Sequence, residues 1–240
     1  MNRNTFKCLL LAFILFCLIN IGNLAVAYSE EIPLIPLRDF FRNPEQYSFS
    51  LSPKGDYFAF LAPWKNRLNI FVQKVNETES KRITSVTDRD LAGYFWASNN
   101  RIVYLRDQAG EENFHLFAVN IDGSKPIELT PFPGVRAEVV NPLKENDREM
   151  IISLNQRDPT VFDVYRINVE TGELTLVAEN PGNITKWLTD HEGHLRVAKA
   201  VDGNNTNILY REKENQPFQN IMAISYKETF IPLLFTHDNQ

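Results

Sequence analysis

The sequence predicts an all-β chain built as an incomplete β-propeller of four-stranded antiparallel blades, four units plus the first strand of a fifth. Three observations carry that reading. A strand-and-turn pattern recurs at intervals of roughly 45 residues, the repeat length of a four-stranded blade, and it restarts near Tyr47, Gly93, Val135, Ile184 and Thr229. The second strand of each unit is apolar at nearly every position, as in Phe58-Ala59-Phe60-Leu61, Ile102-Val103-Tyr104-Leu105 and Met150-Ile151-Ile152. A strand apolar on both faces must be covered on both, which a blade sandwiched between neighbours achieves. Helical periodicity is nearly absent, and only Leu37 to Arg42 reads as one or two helical turns. A β-sandwich would show similar strand spacing without a fixed four-strand period.

Residues 1–27 read as a secretory signal peptide. Arg3 and Lys7 precede an apolar run from Cys8 to Ile19, and Ala25-Val26-Ala27 supplies a small-residue cleavage site, so that Tyr28 becomes the mature N-terminus. The run is shorter than the ~20 residues needed to span a bilayer core, so no membrane attachment is expected after cleavage. Residues 28–45 form a lead-in segment with the short helix, and residues 46–240 the partial propeller. In the first unit the strands are Tyr47 to Leu51, Tyr57 to Ala62, Leu68 to Val75 and Lys81 to Thr84, with Ser52-Pro53-Lys54-Gly55-Asp56 as the first turn. The second unit runs Tyr94 to Ala97, Arg101 to Leu105, Phe114 to Ile121 and Pro126 to Leu129. The third and fourth carry Gly-bearing turns at Thr171-Gly172 and Glu192-Gly193. The fourth strand of a unit lies at the rim, where the alternation of Lys81-Arg82-Ile83-Thr84 and Glu173-Leu174-Thr175-Leu176 fits.

Composition bounds the partners. Both cysteines, Cys8 and Cys17, lie within the signal, so the exported portion holds no disulfide. Removing Arg3 and Lys7 from the 25 basic residues leaves 23 against 30 acidic ones, a net charge of −7. No basic stripe interleaved with aromatics appears, which excludes a nucleic-acid partner. Asn76-Glu77-Thr78, Asn183-Ile184-Thr185 and Asn204-Asn205-Thr206 match the N-glycosylation pattern and read as polar turns.

Several segments resemble a known family. Leu51-Ser52-Pro53-Lys54-Gly55-Asp56-Tyr57-Phe58-Ala59-Phe60 is similar to the turn-and-strand signature of TolB-type and prolyl oligopeptidase-type propellers. The runs Gly110 to Val119 and Arg157 to Arg166, with Leu129-Thr130-Pro131-Phe132, resemble the N-terminal propeller of secreted S9-family serine peptidases. The resemblance runs from Ile32-Pro33-Leu34 onward. It implies a propeller that restricts peptide access to a C-terminal α/β-hydrolase domain bearing the Ser, Asp and His. That domain would lie beyond Gln240, so the chain reads as a non-catalytic propeller fragment, periplasmic or secreted, whose peptide substrates act through a missing or separate hydrolase. A freestanding TolB-like periplasmic binding propeller is the alternative.

The residues agree with a non-catalytic reading. No serine sits in a Gly-x-Ser-x-Gly turn, so no catalytic residue is assigned, and no cofactor is implied. His191 and His194, with Asp190 and Glu192, occupy a turn and read as solvated side chains, not metal ligands. Glu111 and Glu112 lie on the long connection between the second and third strands of the second unit. The resemblance implies that an adjacent Glu pair could hold a peptide's α-ammonium group by charge-assisted hydrogen bonds; ordinary solvation is the plainer reading. Arg157 and Asp158, on the equivalent connection of the third unit, either gate substrate, pair with each other or brace the loop before Pro159. Trp64, Trp96 and Trp187 read as packing between blades.

Overall fold

The computed structural model describes residues 34–41, 44–107, 110–144 and 146–239. The segment expected to be a signal peptide, with Ala27 and Tyr28, lies outside the described residues. The chain divides into two units, Met1–Asn43 and Pro44–Gln240. In the first, α1 (Leu37–Phe40) is a single turn that follows Pro36, whose fixed φ suits a helix start. Leu37, Phe40 and the following Phe41 are exposed.

Among its described residues the second unit holds sixteen strands in four antiparallel sheets, each a meander of four consecutive strands. The first blade is β1 (Tyr47–Leu51), β2 (Tyr57–Trp64), β3 (Arg67–Lys74) and β4 (Ser80–Arg82). The second is β5 (Gly93–Ser98), β6 (Arg101–Asp107), β7 (Phe114–Asn120) and β8 (Ile127–Glu128). The third is β9 (Ala137–Asn141), β10 (Glu149–Asp158), β11 (Val161–Asn168) and β12 (Leu174–Ala178). The fourth is β13 (Ile184–Thr189), β14 (Leu195–Asp202), β15 (Asn205–Tyr210) and β16 (Gln219–Ile224).

Successive side chains on a strand point to opposite faces, and here the two faces of one strand feed two different cores. Ile102 and Tyr104 of β6 pack with Ala59, Leu61 and Ile70 of the first blade. Val103, between them, joins Leu116, Met150 and Ile152 in the core shared by the second and third blades. On β10 the neighbours Ile152 and Ile151 divide likewise, Ile151 entering a third core with Val164, Trp187 and Leu195. Trp96 and Trp187 are buried in these cores, whereas Trp64 is half-buried at the tip of the β2–β3 hairpin.

The outer face of the first blade carries a ring ladder. Phe49 stacks on Phe60 at 5.1 Å, and Phe60 on Phe71 at 5.7 Å between centroids. Phe60 is buried, while Phe49 stays 56 % exposed. On the far face of the fourth blade, Val197, Ile208 and Ile224 are covered by Phe235.

Phe235 belongs to the segment expected to open a fifth unit at Thr229. Residues 225–239 contain no strand. A strand needs a ladder partner for its backbone groups, and side chains meet that need here instead. His191 Nε2 lies 3.2 Å from the Phe235 carbonyl and 3.0 Å from that of Thr236, close enough to donate to either. The Asn239 side-chain oxygen accepts the His191 N–H at 2.9 Å, and Arg196 donates to the Asn239 carbonyl at 2.8 Å. The segment is thereby strapped across the fourth blade at its β13–β14 turn.

Candidate functional site

In a four-stranded meander the β-hairpin between the second and third strands opens at the same edge as the connection to the next blade. That edge gathers Lys65-Asn66, the Gly110 to Asn113 connection, Asp158 to Thr160 and Gly203-Asn204 from the four blades. Glu111, Glu112, Arg157 and Asp158 therefore share one rim of the propeller. No hydrogen bond or ion pair joins the glutamates to the other two among the described residues.

The third blade contributes the most constrained group. The β10–β11 register slips between Leu154 and Asp158, and such a bulge re-aims side chains. Arg157 there donates through Nε and Nη2 to the two carboxylate oxygens of Asp163, each at 2.8 Å. Its Nη2 also donates to the Asn180 carbonyl at 2.8 Å, and the Asn180 N–H donates to Asp163 at 2.7 Å. The hairpin is thus tied to the connection leading into β13. Arg157 pairs with Asp163 and not with Asp158. Asp158 instead accepts the Thr160 N–H and hydroxyl, each at 2.8 Å, closing the tight turn after Pro159. These Thr160 bonds hold the Asp158 carboxyl below its ordinary value, and the Asp163 bond raises the Arg157 guanidinium.

Burial pushes the Asp163 carboxyl up, but the Arg157 and Asn180 donors outweigh it, so the group is held below the ordinary carboxylate range. A carboxyl depressed in the folded state contributes stability that is complete above its unfolded value of about 3.9 and is lost as pH falls through the folded value. Asp163→Asn is expected to flatten the acid limb of the stability curve below about pH 4. Urea midpoints measured across a pH series check this, and an unchanged acid limb would show that Asp163 is not the group responsible.

Residue types alone did not single out Asp163, Asn180 or Asn155. Asn155 accepts the Arg136 N–H at 2.6 Å and donates to the Pro159 carbonyl at 2.9 Å, a second tie between hairpin and connection. The hint in the sequence is a polar or acidic residue within an otherwise apolar strand, as at Asn155 and Asp163; Asn180 lies on the connection between β12 and β13. In the first blade Asn69 plays the corresponding part, and in the second His115 Nδ1 lies 2.6 Å from Glu128.

Glu111 and Glu112 stand at the same rim on the β6–β7 connection, both exposed. Glu112 has φ 58° and Gly110 φ 89°, so the backbone doubles back through the left-handed region there. The Arg89 guanidinium lies directly over Gly110, where a side chain would stand, and reaches Asp107 at 3.7 Å. The two carboxylates are presented to solvent with no partner among the described residues, a form able to meet a cationic group.

At the opposite edge, Asp190 accepts the N–H groups of Glu192 at 3.0 Å and His194 at 2.9 Å, which closes the β13–β14 turn. Asp190, Glu192 and His194 bring ligand atoms within 4.8 Å of one another. Arg196 shares the Asp190 carboxylate at 3.6 Å, a cation where a metal ion would need the same oxygens.

No protein-family model matches the chain. Among curated proteins it is similar to dipeptidyl aminopeptidase BIII of Pseudoxanthomonas mexicana, 28 % identical over 202 residues, covering 80 % of this chain and 29 % of the relative. It is likewise similar to dipeptidyl peptidase family member 6 of Caenorhabditis elegans, 27 % identical over 213 residues, covering 84 % and 28 %. The chain spans less than a third of the length of either relative. Among solved structures, a prolyl endopeptidase superposes with a TM-score of 0.54 at 11 % identity, covering 74 % of this chain and 29 % of that one, which shows the fold. With its row of four-stranded blades and its likeness to two dipeptidyl peptidases, the chain is similar to the N-terminal propeller portion of S9-family serine peptidases.

Proposed function

We propose that this chain is the non-catalytic propeller of an exported S9-type serine peptidase, and that it restricts peptide access to an α/β-hydrolase domain. The observation that carries the reading is the coverage of the match: 80 % of this chain corresponds to 29 % of a dipeptidyl aminopeptidase, and the matched part folds as blades. The sequence holds no Gly-x-Ser-x-Gly turn on which a serine nucleophile would be raised. The blade rim, with Glu111 and Glu112 unengaged and the Arg157–Asp163 pair bracing the neighbouring hairpin, is the surface assigned to arriving peptides.

The purified chain is expected to leave chromogenic dipeptide substrates uncleaved, and its intact mass is expected to begin at Tyr28. Turnover blocked by a serine-directed inhibitor would overturn the non-catalytic role. A chimera in which the chain replaces the matching segment of the Pseudoxanthomonas mexicana enzyme tests gating. Retained cleavage of dipeptide substrates with folded proteins left intact supports it, and indiscriminate proteolysis sinks it.

A further inference from the structure

Two cations lie over one tryptophan at the tip of the β2–β3 hairpin, and a third, Arg67, is its ladder partner. Trp64 and Arg67 face each other across the ladder. Lys65 Nζ lies 4.6 Å from the centre of the Trp64 ring system, and the Arg82 guanidinium carbon 3.7 Å from it. None of Lys65, Arg67 and Arg82 forms an ion pair among the described residues. Asp90, whose carboxylate accepts the adjacent Leu68 N–H at 2.7 Å, is not paired with any of them. In a chain with 30 acidic and 25 basic residues, an unpaired cationic corner runs against the composition.

The turn is also strained to make it. Lys65 has φ 49° and Asn66 φ 62°, the two left-handed positions of a type I′ turn, which favours asparagine and glycine. A lysine in that conformation is sterically disfavoured, and such outliers persist where the surroundings hold them, often at binding sites. The hairpin accepts a poor turn residue and thereby holds an ammonium group over an indole face. Arg82 is fixed by bonds to the Thr84 carbonyl and the Ser85 hydroxyl, which leaves Lys65 and Arg67 to pair outward.

We propose that this corner binds an acidic peptide segment, with carboxylates meeting Lys65 and Arg67 and the peptide chain lying on the Trp64–Arg82 platform. Arginine matches a carboxylate with two parallel N–H donors. Two outward-pairing cations beside the Trp64–Arg82 stack suit a short run of carboxylates; a nucleic-acid backbone needs a longer basic track. This inference stands apart from the peptidase reading, because it requires no hydrolase domain.

The test is titration of the purified chain with a short polyglutamate peptide, read by tryptophan fluorescence. Trp64 is the half-buried reporter, Trp96 and Trp187 being buried. Saturable binding that weakens as salt rises is expected. Lys65→Gly is expected to weaken binding about threefold, and Lys65→Gly with Arg67→Gln about tenfold, the scale of exposed ion pairs acting together. Lys65→Gly should at the same time hold or raise the melting temperature, since glycine relieves the turn. A purely structural lysine would not separate the two readouts in this way. Absence of saturable binding, unchanged affinity in the double variant, or equal affinity for polylysine would overturn the proposal. Equal or tighter binding of an oligothymidylate would overturn it in favour of a nucleic-acid site.

Discussion

Ile152→Ala is expected to lower the stability of the propeller by about 2–5 kcal/mol, the cost of truncating a fully buried aliphatic side chain and leaving a cavity. Ile152 is 0 % exposed and packs between the second and third blades with Leu116, Met150 and Leu154. Its neighbour Ile151, equally buried, packs between the third and fourth blades. Ile151→Ala is therefore expected to cost a similar amount through a different interface. In a sheet with one solvated face, one of two adjacent residues would tolerate the change. Because single domains are stable by only about 5–15 kcal/mol, either substitution removes a large share of the total. Urea midpoints of the two single variants check this, and a loss below about 1 kcal/mol at either position would show that its face is not sealed by a neighbouring blade.

Asn69→Leu is expected to cost about 3 kcal/mol or more, although it makes the core more apolar, because it strands several buried partners at about 1–3 kcal/mol each. Asn69 is 0 % exposed. Its carbonyl oxygen accepts the Val86 N–H at 2.8 Å and the Thr84 hydroxyl at 3.0 Å. Its amide donates to the Arg67 carbonyl at 3.1 Å and the Val86 carbonyl at 3.0 Å. Thr84 in turn accepts the Ile70 N–H at 2.9 Å. The side chain thus fastens the connection leaving the first blade to the strand beside it. Hydrogen exchange at the Val86 amide reports the same event locally. Protection there should fall further than protection in the third blade, and a uniform fall would mean that Asn69 stabilises the whole molecule without acting as a local tie.

Much of the blade architecture was legible because it depends on short-range pattern. The apolar runs at Phe58, Ile102 and Met150 demanded cover on both faces, and the Gly-bearing turns fell between the strands they predicted. Strand ends moved by at most two residues, as β2 runs through Trp64. Trp64 was expected between blades and is found at a hairpin tip, because it closes the turn opposite Arg67. Thr229 to Phe235 has a strand's composition, yet Phe235 is buried by Val197 and Ile208 while His191 faces its carbonyl. Local pattern cannot register that competition.

The candidate site was legible only in outline. The rim position of Glu111, Glu112, Arg157 and Asp158 followed from the order of strands. Arg157 and Asp158 read as gating substrate, pairing with each other or bracing the loop before Pro159, and the bulge before Asp158 turned Arg157 to Asp163.

The sequence by itself determined the repeating four-strand unit, the two-faced burial of its second strand and the absence of a nucleophile turn, since each is a property of residues close together in the chain. The tertiary structure alone decided which polar groups close the blades: Asn69 with Val86, Arg157 with Asp163 and Asn180, and His191 with the C-terminal strap. A buried polar group must find its partner wherever folding brings one within about 3 Å, and that distance in space leaves no trace in the spacing along the chain.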